Sequence, residues 1–366
     1  MLLLILTFAV SAVSTLLIIR SNHTHARFSA DADFRGPQKV HSRAVPRVGG
    51  IGIALGLVAA AIALAIADQR EQQQLATLLL LCGVPAFGGG LFEDISKRVE
   101  PRYRLVATAL SALLAVLAVG GTIDRTDLWG LDWIASSAVG GACLAIFTVA
   151  GIAHAVNIID GFNGLASMCV VMILAALAYV ANQVGDTAVT SLALIGVGAV
   201  LGFFVWNFPG GLIFLGDGGA YFLGFYVAEL GILLLYRNPS VSPLCPLLIC
   251  IYPVFETLFS MYRRRVVRGR AMALADGVHL HSLIYRRLLR WAVGSHDAKI
   301  LTRRNSMTAP YLWFVCSLGI APSVIWWNDS HVLGAFIVLF GFSYVLLYAS
   351  ILRFKIQRWV FFRSRH

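Results

Sequence analysis

The feature that most constrains this chain is a recurring window of residues with almost no charge. SSAVGGACLAIFTVAGIAHAV (136–156) and SMCVVMILAALAYVA (167–181) are two of many. A helix needs about 20 apolar residues to cross the hydrocarbon core of a bilayer. Within lipid every backbone polar group must be satisfied by a helix or a closed barrel. These runs are continuous and do not alternate, which argues against a barrel. Only 13% of the 366 residues are charged and 58% are hydrophobic, about half the charge of a soluble domain. The mean hydropathy is +0.79. The expected fold is therefore an all-α, polytopic integral membrane protein.

Eleven spans are expected, near 2–19, 49–67, 75–92, 105–121, 134–153, 164–181, 189–206, 220–236, 243–261, 309–327 and 332–350. The first lacks a basic n-region and precedes a basic segment, so it reads as an anchor and not as a cleaved signal. Lys and Arg set the orientation. The loops 20–47, 93–104 and 262–308 and the tail 351–366 hold 26 of the 29. Arg70, Arg125 and Arg237 alone fall on the other side. The basic side is expected to be cytoplasmic, with the N-terminus outside and the C-terminus inside. The net charge of +11 follows from this bias and from anionic headgroups, so no nucleic-acid partner is needed. The six cysteines show no metal-ligand spacing and read as packing residues. With no repeat or linker, residues 1–366 form one membrane domain.

The unusual polar stretches all end on the basic side. They are KVHSRAVPRVGG (39–50), FEDISKRVEPRYRL (92–105), NIIDGFNGLA (157–166), WNFPGGLIFLGDGGAYFLG (206–224) and LADGVHLHSLIYRRL (274–288). Each has an ordinary explanation when taken alone. Glu93 and Asp94 could be loop solvation, and Asp217 a turn residue. His279 and His281 are spaced i, i+2, which is not the i, i+4 spacing of a helical zinc site. Arg263–Arg265 is a basic flank, and Phe162 and Phe214 could be packing. Together they say more. Adjacent carboxylates can bind a cation or take a proton. Glycines beside Asp217 let backbone N–H groups approach an anion. Mg²⁺ favours a few carboxylates plus substrate phosphates. Carboxylates on three loops and histidines on a fourth describe a Mg²⁺-and-diphosphate site at a membrane surface.

These motifs, in this order, resemble the polyprenyl-phosphate N-acetylhexosamine-1-phosphate transferases. That family includes bacterial initiators of O-antigen and the enzyme that makes the first lipid intermediate of peptidoglycan. HSRAVPRVGG resembles its first-loop motif and FEDISKRVEPRYRL its Asp-Asp motif. HAVNIIDGFNGLA resembles Asn-x-x-Asn-x-x-Asp-Gly, WNFPGGLIFLGDGG the Asn…Phe-x-Gly-Asp motif, and DGVHLHS the histidine motif. The resemblance implies transfer of a sugar-1-phosphate from a UDP-N-acetylhexosamine to undecaprenyl phosphate, with Mg²⁺ (or Mn²⁺) and loss of UMP. By motif match Asp217 is the metal ligand, with Asp160 and Asn157 beside it. Asp94 and Glu93 orient or deprotonate the lipid phosphate, and Asp160 counts among the catalytic groups. Gly161, Phe162 and Asn163 line the uracil pocket, where Phe214 stacks. His279 and His281 contact the diphosphate, Asn207 braces the Asp217 loop, and Arg43 binds substrate.

Four positions depart from the family pattern. Glu93 stands for the first Asp, His154 for the first Asn, Asn163 for a common Asp, and Ser282 for a third histidine. The shortened histidine motif and PRVGG favour the O-antigen or exopolysaccharide branch. The expected location is the bacterial inner membrane, multi-pass, with the site facing the cytoplasm and a homodimer as the assembly. A secondary transporter is the rival class. Its site would lie near the midplane between inverted repeats, and the sequence shows neither.

Overall fold

The computed structural model describes residues 1–21, 30–31, 45–267, 279–289 and 298–353. Arg43 lies outside these residues. The helices are α1 (Leu2–Arg20), α2 (Gly50–Ile66), α3 (Arg70–Cys82), α4 (Val84–Ser96), α5 (Pro101–Val119), α6 (Ala138–Ile159), α7 (Leu165–Gln183), α8 (Thr187–Asn207), α9 (Gly216–Arg237), α10 (Leu244–Ile249), α11 (Ile251–Tyr262), α12 (Ala298–Ile325) and α13 (Ser330–Leu352). Shorter turns lie at Leu131–Ala135 and Leu280–Leu283, and Ala30–Asp31 pairs antiparallel with Val45–Pro46.

Among the described residues, eight helices are long and apolar enough to cross a membrane, or nine if α3 and α4 form one span bent by 41°. The fold is thus all-α and polytopic. Every expected span falls on a helix, but two are interrupted. The stretch 75–92 breaks at Gly83, and Pro85 there has no N–H to continue the ladder. The stretch 243–261 divides at Cys250, and Pro253 leaves the carbonyl four residues earlier without its helical donor. The stretch 49–67 is the 17-residue α2.

The central post is α9, in which every residue from Gly216 to Leu235 is buried. It packs on α6 and α4. At the periphery, α1 buries only Thr7, Ser11 and Thr15, one face at i, i+4 spacing. That face meets glycines. A Cβ at Gly52 would lie 2.2 Å from Thr15 Oγ1, and one at Gly198 2.2 Å from Thr7 Oγ1. Close approach of small residues replaces hydrophobic driving force where the surroundings are lipid.

On the face opposite the polar motifs, Asp186 caps α8 through Val189 N (3.0 Å). It also accepts from Arg237 Nε (2.8 Å) and Asn238 Nδ2 (3.0 Å) at the end of α9. Arg125 donates to the carbonyls of Asn238 (3.2 Å) and Val241 (2.9 Å) just past α9. Two of the three arginines outside the basic loops therefore hold the carboxyl end of the central helix.

Candidate active site

The site begins with a backbone requirement. α9 starts at Gly216, whose φ of +79° favours glycine. A Cβ there would lie 2.1 Å from Arg47 O and 2.6 Å from Asp94 Oδ2. The segment around Val45–Gly50 runs beside residues 213–216. Phe214 N donates to Pro46 O (2.8 Å), Gly49 N to Phe214 O (3.0 Å) and Gly50 N to Leu215 O (3.0 Å). The helix N-terminus is thereby pinned where α4 crosses it. A Cβ at Gly90 of α4 would lie 2.5 Å from Gly218 N.

Asp217 occupies the first turn of α9. Its carboxylate meets Arg104 Nη1 (2.6 Å), Arg47 Nη2 (3.2 Å) and Asn157 Nδ2 (3.1 Å). Asp94 is 1% exposed. Its two oxygens accept Asp217 N and Gly218 N, each at 2.9 Å. Arg47 Nε lies 3.7 Å from it. Its neighbour Glu93 accepts Val99 N (2.7 Å) through Oε2 and lines the cavity. Asp160 follows the last turn of α6. Burial, reinforced by the negative charges of Asp217 and Asp94 and opposed by Arg47, pushes its carboxyl up to about 7.

The loop after α6 is tied to its neighbours by buried amides. Asn207, at the end of α8, accepts Gly164 N (2.6 Å) and donates to Ile213 O (2.8 Å), so it joins this loop to the approach to Asp217. Asn163 N donates to Asn305 Oδ1 (2.8 Å) and Asn163 Nδ2 to Ser306 Oγ (3.3 Å), both on α12. Phe162 meets the rings of His281 (5.3 Å) and Tyr285 (5.4 Å). His279 stacks on His281 at 5.0 Å and 14°.

These groups enclose a cavity of about 400 Å³. Glu93, Asn157, Asp160, Gly161, Phe162, Asn163, Asn207, Phe214, Asp217, His279 and His281 all line it. Asp94 does not, because it faces the backbone of α9 instead. Sequence reasoning passed over Arg47, Arg104, Tyr285, Arg286 and Asn305, which also line it. The three arginines lie inside quoted motifs, but the orientation argument absorbed their charge. Among the described residues no group of three or more His, Cys, Asp or Glu converges as a metal cage. Mg²⁺ does not need one, since it takes one or two carboxylates and completes its shell with phosphate and water. Asp217, Asp160 and the Asn157 amide offer such an all-oxygen set, and the site fits that cation.

The fold and this cavity define a multi-pass membrane protein with a polar, charged site at the ends of its helices. A model of glycosyl transferase family 4 matches residues 76–235. A probable undecaprenyl-phosphate N-acetylglucosaminyl 1-phosphate transferase of Bacillus subtilis (strain 168) is 27% identical over 313 residues, covering 81% of this chain and 80% of its own. The undecaprenyl-phosphate alpha-N-acetylglucosaminyl 1-phosphate transferase of Thermotoga maritima is 28% identical over 254 residues, 69% of this chain and 72% of its own. A phospho-N-acetylmuramoyl-pentapeptide-transferase of Streptococcus thermophilus is 30% identical over 247 residues, 62% of this chain and 68% of its own. The chain belongs to glycosyl transferase family 4, among the transferases that act on polyprenyl phosphates.

Proposed function

We propose that this protein transfers a sugar-1-phosphate from a UDP-N-acetylhexosamine to undecaprenyl phosphate and releases UMP. One observation carries the reading. The loops holding Asp160, Asp217 and the two histidines meet in one cavity at the helix ends, within reach of a soluble donor and a lipid acceptor. An oxygen of the lipid phosphate attacks the sugar-bearing phosphorus. The bond from that phosphorus to the bridging oxygen breaks, and UMP leaves with the electron pair.

Asp217, with Asp160 and Asn157, would hold Mg²⁺ or Mn²⁺. The cation would screen the charge between the two phosphates. Asp94 fixes the first turn of α9 and so aims Asp217. Glu93, which reaches the cavity, is the carboxylate placed to meet the lipid phosphate. Gly161, Phe162 and Asn163 shape the nucleotide end, where Phe214 offers a ring to the base. His279 and His281 supply donors to the diphosphate.

In this reading the chain has eleven spans, with α3 and α4 as one and α10 and α11 as another. The N-terminus is outside and the site faces the cytoplasm of a bacterial inner membrane. The product starts a lipid-linked surface glycan of the O-antigen or exopolysaccharide kind. Support comes from the 26 basic residues in the site-side loops and tail and from the relatives' names.

The test supplies purified protein with Mg²⁺, undecaprenyl phosphate and a panel of UDP-sugars. UMP and a lipid-linked sugar phosphate are expected with at least one N-acetylhexosamine donor. UMP release that does not require the lipid, or none from any donor, overturns the reading.

A further inference from the structure

Glu256 is a carboxylate in an otherwise apolar helix. It lies on α11, is 1% exposed and does not line the cavity. A buried carboxylate is costly unless hydrogen-bonded. Three donors converge on this one. His279 Nδ1 lies 2.9 Å from Oε1, Leu280 N donates to the same oxygen at 3.2 Å, and the Tyr344 hydroxyl of α13 donates to Oε2. An ionised carboxylate only accepts, so the proton of this contact sits on His279 Nδ1. The other ring nitrogen, Nε2, is left for the cavity that His279 lines. His281, stacked on the same ring, resists its rotation. Tyr252, one turn earlier on α11, is the other buried titratable group of that helix.

We propose that Glu256 is a positioning residue. It fixes the ring orientation of His279 with one proton on Nδ1, and its negative charge supports a second proton on Nε2 as that nitrogen donates to the phosphates of a nucleotide diphosphate. The proposal rests on the transferase reading. A carboxylate behind a histidine sets which nitrogen faces outward; for metal-bound histidines, losing such an outer partner typically costs about 10- to 100-fold in affinity or activity, and the lower end of that scale is the expectation here.

Glu256→Gln separates charge from shape. Its amide oxygen can still accept from His279 and Leu280, and its NH₂ can face the Tyr344 oxygen. Binding is read by calorimetry with UDP and Mg²⁺, and turnover by UMP release. In Glu256→Gln the UDP affinity should fall about 10-fold, with KM for the UDP-sugar rising in step. KM for the lipid should hold within about twofold. In a His279→Ala background the same substitution should add less than about twofold, since it acts through that ring. An unchanged UDP affinity in Glu256→Gln would overturn the proposal. So would an equal further loss without His279, or an equal rise in the lipid KM. Should Glu256→Gln fail to insert, Tyr344→Phe withdraws one donor and should give a smaller loss with the same dependence on His279. Because binding is read with UDP and Mg²⁺ in the absence of lipid and sugar, a wild type that binds UDP but releases no UMP refutes the transferase reading, while the binding data still decide the role of Glu256.

Discussion

Asp94 and Asp217 are joined through the backbone. The side chain of Asp94 accepts the N–H of Asp217 at 2.9 Å and that of Gly218 at 2.9 Å. The two carboxylates of the motifs thus have different work, one holding a helix terminus and the other facing the cavity. A negative group at a helix N-terminus satisfies orphan donors and complements the helix dipole.

Asp94→Asn should therefore act as a loss of cap. One of its two acceptors becomes a donor that faces a buried N–H. The expected cost is about 1–3 kcal/mol of stability, as for a buried donor left unsatisfied, together with reduced turnover. Thermal unfolding in detergent checks this, and unchanged stability in Asp94→Asn would overturn the capping role.

Asp217→Asn keeps the shape and removes the charge. It should lower kcat at least about 10²-fold, the scale of one lost electrostatic stabiliser, while the protein still inserts. Titration with Mg²⁺ or Mn²⁺ should show a much larger metal requirement in Asp217→Asn than in Asp94→Asn. Normal turnover of Asp217→Asn at low Mg²⁺ would move the metal assignment to Asp160.

Phe214→Ala addresses the base. Stacking of a base on an aromatic ring is worth about 1–3 kcal/mol, so KM for the UDP-sugar should rise roughly 5- to 150-fold. The lipid KM should change little. Steady-state kinetics with each substrate varied in turn would show whether the nucleotide KM stays put, which would remove the ring from the pocket.

Asp186 gives the pH dependence of stability on the opposite face. Burial raises the pKa of its carboxyl. The bonds from Val189, Arg237 and Asn238 and the Arg237 charge outweigh that and hold it below the usual carboxylate range. A depressed folded-state value means the contribution is complete above the unfolded carboxylate pKa. It is lost as pH falls through the lower, folded value. Asp186→Ala should cost about 0.5–2 kcal/mol at pH 7, as for a lost N-cap. The difference from wild type should shrink in acid. A gap in unfolding temperature that stays constant from pH 7 down to pH 3 would contradict this.

The helices were legible because hydrocarbon leaves so few backbone solutions. Gly83–Pro85 and Pro253 were visible as residues, yet apolarity alone joins their flanks into single spans. Hydropathy cannot register a missing N–H. Asp160, Asp217 and the histidines stood out as polar groups in apolar surroundings. Arg47 and Arg104 did not, since a basic residue on the basic side already has an explanation. Asn305 could not be found, because its partner Asn163 is 142 residues away and only packing unites them. Glu256 sits inside an apolar span, where one carboxylate barely changes a window average.

The hold of Asn305 on the Asn163 backbone has a consequence for how the protein is made. The chain enters the bilayer in order, and α12 and α13 come last. Until α12 is in place, the Asn163 N–H lacks the acceptor that satisfies it in the finished protein. Until α13 follows, Glu256 lacks its tyrosine. The acidic loops are therefore all synthesised well before the cavity has its walls. Nucleotide binding should emerge only once α12 and α13 have inserted, and not grow by degrees as each earlier span inserts.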